Sequence, residues 1–416
     1  MNKTSLMIAV CACAMATLPI FTAEAKTDTA RTPWRPIQLQ SLFMQTAKVG
    51  WALGGHSSSG RPFLFRTTDG GSRWVRIEGP VLAEAETTAF AGPDSAWYAV
   101  KGGSDKHPWA TVYHTVDAGL HWWASRHFPL APERSNNLDL VVSQPHGAIW
   151  LGASAGGMNS RQFVALYRST ANGMHWSGGA NALPVDGLLG FVTADIGYGL
   201  SIHDGGGVAA WLADKSPTRM KAPPVEPQFY ETQNGGMTWT AHPLPVPNDY
   251  QNGLDYLLPI QWFGRTGMMP VTFYTGSLTS RYLAWGLYVT QDGGRTWKYD
   301  QTYRVNGNAA SQNTVNLTFD ITAPNQIYRE ITVTDGPAGN PRHRTTLWRA
   351  TSPTGSWTLL SRLSKLPTPG GSLEIRPSGN GWAIGLDSIY ETRDGGRTWR
   401  IVRTATAPVS VPAESG

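Results

Sequence analysis

The chain of 416 residues carries 34 Lys+Arg against 29 Asp+Glu, a formal charge of +5 and a sequence pI ≈ 9.1. So small an excess over so long a chain excludes a dedicated nucleic-acid-binding domain and leaves at most an affinity for anionic surfaces. Only 15% of residues are charged while Gly 46, Pro 29 and Trp 18 are high counts, a composition of many short strands joined by tight turns.

In chain order, Lys3, the apolar run from Leu6 to Phe21 and the small-x-small Ala23-Glu24-Ala25 read as a secretory signal over 1–25, cleaved on export. The expected location is secreted or periplasmic. No later stretch approaches about twenty apolar residues, so no transmembrane segment is expected. Both cysteines, Cys11 and Cys13, fall inside this leader, so the remaining chain must be held by core burial without disulfides. Lipid attachment at Cys13 is the poorer reading, because Val10 and Cys11 ahead of it make a bad processing site. Residues 26–35 are expected to be a flexible lead-in, 36–403 a single domain and 404–416 a flexible tail.

An eight-residue pattern then recurs: TTDGGSRW (Thr67 to Trp74), TVDAGLHW (Thr115 to Trp122), STANGMHW (Ser169 to Trp176), TQNGGMTW (Thr232 to Trp239), TQDGGRTW (Thr290 to Trp297) and TRDGGRTW (Thr392 to Trp399). A seventh, TSPTGSW ending at Trp357, reads as eroded and one residue short. Such a ragged period marks repeated supersecondary units with variable loops. Apolar runs such as Phe63-Leu64-Phe65 and Leu287-Tyr288-Val289 precede the turns and further strands follow them. In the turn, the Asp side chain accepts from the amides ahead of it and the glycines supply positive φ. The Trp offers a large ring to the neighbouring sheet. Upstream, an apolar strand, a polar turn and a Gly/Trp-rich strand recur, as in Ser41 to Met44 with Gly50 to Gly54, and Ser372 to Ile375 with Gly381 to Gly385. Each unit thus holds four strands, A to D, with the Asp/Gly turn between C and D. Seven such antiparallel units predict an all-β, seven-bladed β-propeller.

The motif resembles the Asp-box, or bacterial neuraminidase repeat, of sialidases, sortilin-type receptors, xyloglucan-cleaving glycosidases and photosystem II assembly-factor-like propellers. The resemblance spans about 36–403, and the GWA-x-G strand ahead of the DGG turn is most similar to the assembly-factor type. That likeness implies a non-enzymatic assembly or binding protein, although propellers of one architecture carry unrelated activities. Asp69, Trp74, Asp117, Trp122, Trp176, Asn234, Trp239, Asp292, Trp297, Asp394 and Trp399 are assigned to the structure of the turns, not to catalysis or metal binding, because they recur unit after unit. At Ala171 one local hydrogen bond is lost and the turn is expected to persist.

Other catalytic patterns are weak. Gly152-Ala153-Ser154-Ala155-Gly156 matches a nucleophile elbow as text, but no helix follows and a Gly/Ser turn is expected. Asp204 to Gly207 is too short for a calcium loop, and no metal or cofactor is expected. A sialidase would need an arginine triad, a Tyr with a Glu beside it, an acid/base Asp and a Phe/Tyr-Arg-Ile-Pro motif. Trp34-Arg35-Pro36-Ile37 and Ile375-Arg376-Pro377 are scrambled forms of the last, and Tyr328-Arg329-Glu330 is expected to be a strand with an exposed charge pair. The last blade is expected to be complete by itself, with residues 26–33 poorly ordered.

With C–D and A–B turns at one end, the B–C and D–A loops gather at the other. They include 102–109, 153–161, 203–228, 300–314 and 335–344. Arg219 and Lys221, with Arg342, His343 and Arg344, make two of these loops basic and are the candidate binding residues for a protein or an envelope polysaccharide, with Trp109 and Trp211 as aromatic alternatives. A monomer that binds such a partner without catalysis is the first expectation, and a diverged sialidase-like glycoside hydrolase the second.

Overall fold

The computed structural model describes residues 38–55, 63–132, 137–143, 148–154, 163–169, 173–184, 188–201, 228–247, 254–257, 259–275, 282–304, 314–335, 342–363, 373–385 and 388–404. Seven antiparallel sheets follow one another along the chain, each with strands A to D in sequence order. The fold is the expected all-β, seven-bladed propeller. Blade 1 runs through Gln38–Met44, Gly50–Gly55, Phe63–Thr67 and Val75–Ile77. Blade 7 runs through Leu373–Ile375, Gly381–Ile384, Ser388–Thr392 and Arg400–Thr404. Two blades break a strand in two: D of blade 2 is Trp123–Ala124 plus Phe128–Pro129, and A of blade 5 is Leu254–Leu257 plus Gln261–Phe263.

A strands of successive blades touch, as in blades 2 and 3 or 6 and 7, and so form the inner ring around the axis. The core lies between blades. Leu42, Met44, Phe65 and Trp74 of blade 1 pack with Trp382, Ile384 and Ile389 of blade 7. Phe229 of blade 4 packs with Ile260, Met269, Val271 and Trp297 of blade 5. The alternation of each strand presents one face to the preceding seam and the other to the following one, which is why strands such as Ile149–Ser154 are buried throughout.

The recurrent turn is built around its first residue. Thr290 Oγ1 accepts from Gly294 N at 3.0 Å and donates to Asp292 Oδ1 at 2.8 Å, while the same carboxylate oxygen accepts from Thr296 N at 3.0 Å. Gly293 (φ 81) and Gly294 (φ 97) take the positive φ this geometry requires. Equivalent bonds occur at Thr67, Thr115, Thr232 and Thr392. In blade 3, Ser169 Oγ still accepts from Gly173 N at 3.2 Å, while Ala171 lies outside the described residues. These hydroxyls are almost wholly buried, Thr290 at 1% exposure and Thr115 at 0%. Sequence reasoning credited the Asp and overlooked the hydroxyl beneath it.

The indole N–H closes the turn from the other side. Trp74, Trp176, Trp239 and Trp399 donate to the carbonyl of the second glycine or its equivalent, at 2.8 to 3.1 Å. Trp122 instead reaches back to Glu78 O of the previous blade, at 2.9 Å. Trp297 is buried at 5% exposure against Phe229 and Trp262. In blade 6 the register pairs Ala350 with Ile327, just as Thr290 pairs with Gly267. Ala350 therefore stands at the threonine position and Trp357 follows at the full spacing, so this copy has lost its hydroxyl but is not short.

The turn amide one residue earlier ties the two turns of a blade together. Gly70 N donates to Lys48 O, Ala118 N to Asp94 O, Gly235 N to Asp195 O, Gly293 N to Arg265 O and Gly395 N to Gly379 O. The A–B and C–D turns thus share one face, and the B–C connections lie on the other.

Thr290→Val keeps the shape but leaves the buried Gly294 amide without its acceptor. It is expected to cost about 1–3 kcal/mol, against about 3–5 kcal/mol for Trp297→Ala. Urea unfolding of the variants checks both, and a neutral Thr290→Val would remove the hydroxyl from its central role.

Candidate functional site

Two regions bear on function: the loop face proposed from sequence and the polar seam joining blades 6, 7 and 1. On the loop face, Arg219, Lys221 and Trp211 lie outside the described residues, as do Asp204 to Gly207. Arg342, His343 and Arg344 are not on a loop. They open strand C of blade 6, Arg342–Ala350, and pair with Asp335, Thr334 and Val333. Arg344 is exposed. The expected loop 102–109 is also a correction: Ala96–Ser104 and His107–Thr115 form one long hairpin with Asp105 and Lys106 at its tip. Trp109 lies against Gly102 within that hairpin, where a Cβ on the glycine would come within 2.2 Å of its ring, and it meets His127 at a centroid distance of 4.0 Å. Gly152 and Ser154 are likewise inside a strand, paired with Leu166 and Val164, so the expected Gly/Ser turn does not begin there.

The polar seam was not anticipated. On the inner strands, Asp320 of blade 6 accepts from Ile375 N of blade 7. One blade on, Glu374 Oε2 accepts from Met44 N of blade 1 at 3.1 Å. Asp320 and Glu374 hold equivalent places, each opposite a B-strand aromatic, Tyr328 or Trp382. Arg376 pairs with Glu374 at 3.2 Å and donates to Gln45 O at 3.0 Å and to Met44 O. Trp382 Nε1 reaches Gly70 O at 3.0 Å. These contacts join the last blade to the first, and all four strands of blade 7 come from its own stretch of chain, as expected. Residues 26–33 lie outside the described residues.

Lost hydration sets the chemistry of these acids. It pushes Asp320 well above the usual carboxylate range, with nearby Glu374 adding to the rise against the Ile375 amide. It also raises Glu374, against the opposing pull of Arg376 and the Met44 amide. Glu330 is pushed to about 7 by burial, with Thr332 Oγ1 as a weak donor at 3.4 Å. At the turns the balance is reversed: partial desolvation of Asp292 and Asp394 is outweighed by hydrogen bonds from Thr296 and Thr398, which hold both carboxyls at about 2.

The expected exposed charge pair at Tyr328-Arg329-Glu330 is wrong. All three are buried, at 1%, 4% and 7% exposure, and strand alternation puts Arg329 on the opposite face from Tyr328 and Glu330. The Arg329 guanidinium lies over Trp357, 4.0 Å from its centroid, and 5.3 Å from that of Trp348. Other arginines also serve junctions. Arg66 bonds Pro93 O and Asp94 of the next blade, and Arg168 bonds Ala194 O of the next. Among the described residues, no group of His, Cys, Asp and Glu is placed to hold a metal ion, and no helix is long and apolar enough to cross a membrane.

No protein-family model matches the chain, and no curated protein matches it by sequence. Solved structures resemble it faintly. A putative 6-phosphogluconolactonase from Bacteroides uniformis is 9% identical over 86% of this chain and 98% of its own, with a TM-score of 0.48. The β-propeller domain of the Trilobed protease from Pyrococcus furiosus is 7% identical over 90% and 98%, with a TM-score of 0.47. An alpha-L-arabinanase from Penicillium chrysogenum is 11% identical over 76% and 79%, with a TM-score of 0.39. Likenesses of this size carry no activity across to this chain.

Because Glu330 has a folded pKa above its ordinary value, its ionisation opposes folding. Its own contribution to stability is fully present below about 4.5 and is lost as pH rises towards about 7. Glu330→Gln is therefore expected to be up to about 3 kcal/mol more stable than the parent at pH 8 and close to it at pH 4. Chemical denaturation at the two pH values checks this, and equal effects at both would contradict it.

Proposed function

We propose that this chain is an exported, non-enzymatic propeller that binds a protein or cell-envelope partner through the face opposite the recurrent turns. The carrying observation is where the described acids and arginines are engaged. Asp320 and Glu374 hold neighbouring strands through backbone amides, and Arg66, Arg168 and Arg376 cap carbonyls of adjacent blades. Groups tied into seams in this way are poorly disposed to close on a sugar. The Asp-box resemblance and its assembly-factor-like strand pattern favour the same reading. The long blade 2 hairpin and the start of strand C of blade 6, Arg342 to Arg344, lie on that face, and with Arg219 and Lys221 as candidates from the sequence they are the elements that would recognise an anionic partner.

The second reading, a diverged sialidase-like glycoside hydrolase, is favoured by one observation: Tyr328 and Glu330 share a strand face and Glu330 is held near neutrality. Fluorogenic sialosides and a panel of aryl glycosides separate the two. The binding reading expects no release of fluorophore above that of Glu330→Gln, and release lost in that variant would replace it with the enzyme.

For the binding reading, Arg219→Ala with Lys221→Ala, or Arg342→Ala with Arg344→Ala, is expected to weaken capture of an envelope partner with little change in Tm. Binding should also weaken with added salt. Capture indifferent to both pairs and to salt would move the site elsewhere.

A further inference from the structure

The face that carries the turns has its own chemistry. The sixth residue of the turn occupies an equivalent place in each blade, so six of the seven blades present a side chain there at one height, blade 6 having Gly355 instead. Around the ring it is Ser72, Leu120, Met174, Met237, Arg295 and, in blade 7, Arg397. Leu120 is 79% exposed, Met237 65% and Met174 37%. Val116 and Ile196, at 51% and 46%, lie in turns of the same blades. Single exposed apolar residues are ordinary. Here most of the large exposed hydrophobics among the described residues fall on one face of three consecutive blades. The same face of blades 5, 7 and 1 is cationic, with Lys48, Arg73, Arg265, Arg295 and Arg397 exposed. Asp69, Asp292 and Asp394 stay ionised on these blades while accepting their own turn amides, and Arg265 and Arg397 donate to turn carbonyls, so the excess of positive charge rests on the greater number of cations. Asp94 pairs with Arg66, Asp117 with His121 and Asp195 with Arg168.

We propose that this turn face docks on a lipid bilayer bearing anionic headgroups, with Leu120, Met174 and Met237 entering the interface and the cations of blades 5, 7 and 1 meeting the headgroups. The end of a ring of short turns is flat, and a bilayer surface is flat. The apolar groups are flexible aliphatic side chains standing on separate turn tips, which suits shallow insertion. They are not the recessed aromatic and arginine anchors that dominate protein interfaces. Aliphatic insertion combined with basic residues is how peripheral proteins hold anionic membranes. Docked this way, the propeller turns its opposite face outward, so the proposal adds a second surface and does not depend on the partner-binding reading.

The test is sedimentation of the purified protein with vesicles of phosphatidylcholine alone or of equimolar phosphatidylcholine and phosphatidylglycerol. The parent is expected to partition at least about tenfold more strongly onto the anionic vesicles. Leu120→Ser with Met174→Ser and Met237→Ser should reduce partitioning by about tenfold or more, and Arg295→Ala with Arg397→Ala should narrow the difference between the two vesicles. Circular dichroism melts should match the parent, since every changed side chain is exposed. Arg342→Ala with Arg344→Ala, at the far end of strand C from its turn, should leave partitioning unchanged, which separates this surface from the opposite one. No sedimentation with anionic vesicles, or sedimentation indifferent to the triple variant, would overturn the proposal and leave this face to a protein partner.

Discussion

A buried hydroxyl that accepts the amide of the second turn glycine is the contact on which the architecture rests. The C–D turn folds inward over the end of its blade, and its amides would otherwise be enclosed without acceptors, at about 1–3 kcal/mol each. A Thr or Ser at the end of strand C meets that need and passes its own proton to the Asp, which in turn collects the next amide. With the turn fixed, the next amide along can hold the A–B turn and the Trp ring can fill the space beneath. Blade 6 does without the hydroxyl, and Arg329 lies over the Trp357 ring of its turn.

Closing a ring of blades leaves one junction that chain continuity does not enforce. Many strands exchanged across that junction would solve the problem, but here the seventh blade is made from consecutive chain. Side chains bridge the gap instead: Glu374 and Arg376 on the inner strands, Trp382 reaching the first turn, and the shared core of Trp74, Trp382 and Ile384. The Asp320 contact repeats the Glu374 contact one blade earlier, so a recurrent inner-strand carboxylate is the local device for linking blades. Burial at these junctions is what raises both carboxyls above the usual carboxylate range.

The blade count, the strand order and the shared face of the two kinds of turn were legible because each rests on a short local pattern repeated many times. The role of Thr290 and its equivalents was hidden, because a threonine before a turn carries no signal of burial until the blades are assembled. Glu374 and Arg376 were likewise unreadable: their partners, Met44 and Gln45, are more than three hundred residues away in sequence. The misreading of Tyr328-Arg329-Glu330 came from treating three consecutive polar-looking residues as one exposed unit, when strand alternation sends them to opposite seams. The hairpin at Asp105 and Lys106 was mistaken for a loop because glycines and charges mark the ends of long strands as readily as loops.

The two ends of the propeller are chemically distinct: an apolar-to-cationic gradient at the turn face and the B–C connections at the other. Both depend on turns that hold their shape. The most direct measurement of that dependence is native-state hydrogen exchange of the second-glycine amides, Gly71, Gly119, Gly236, Gly294 and Gly396. The account predicts that they exchange as slowly as the amides of the strands that flank them. Exchange at rates far above those of the flanking strand amides would contradict it.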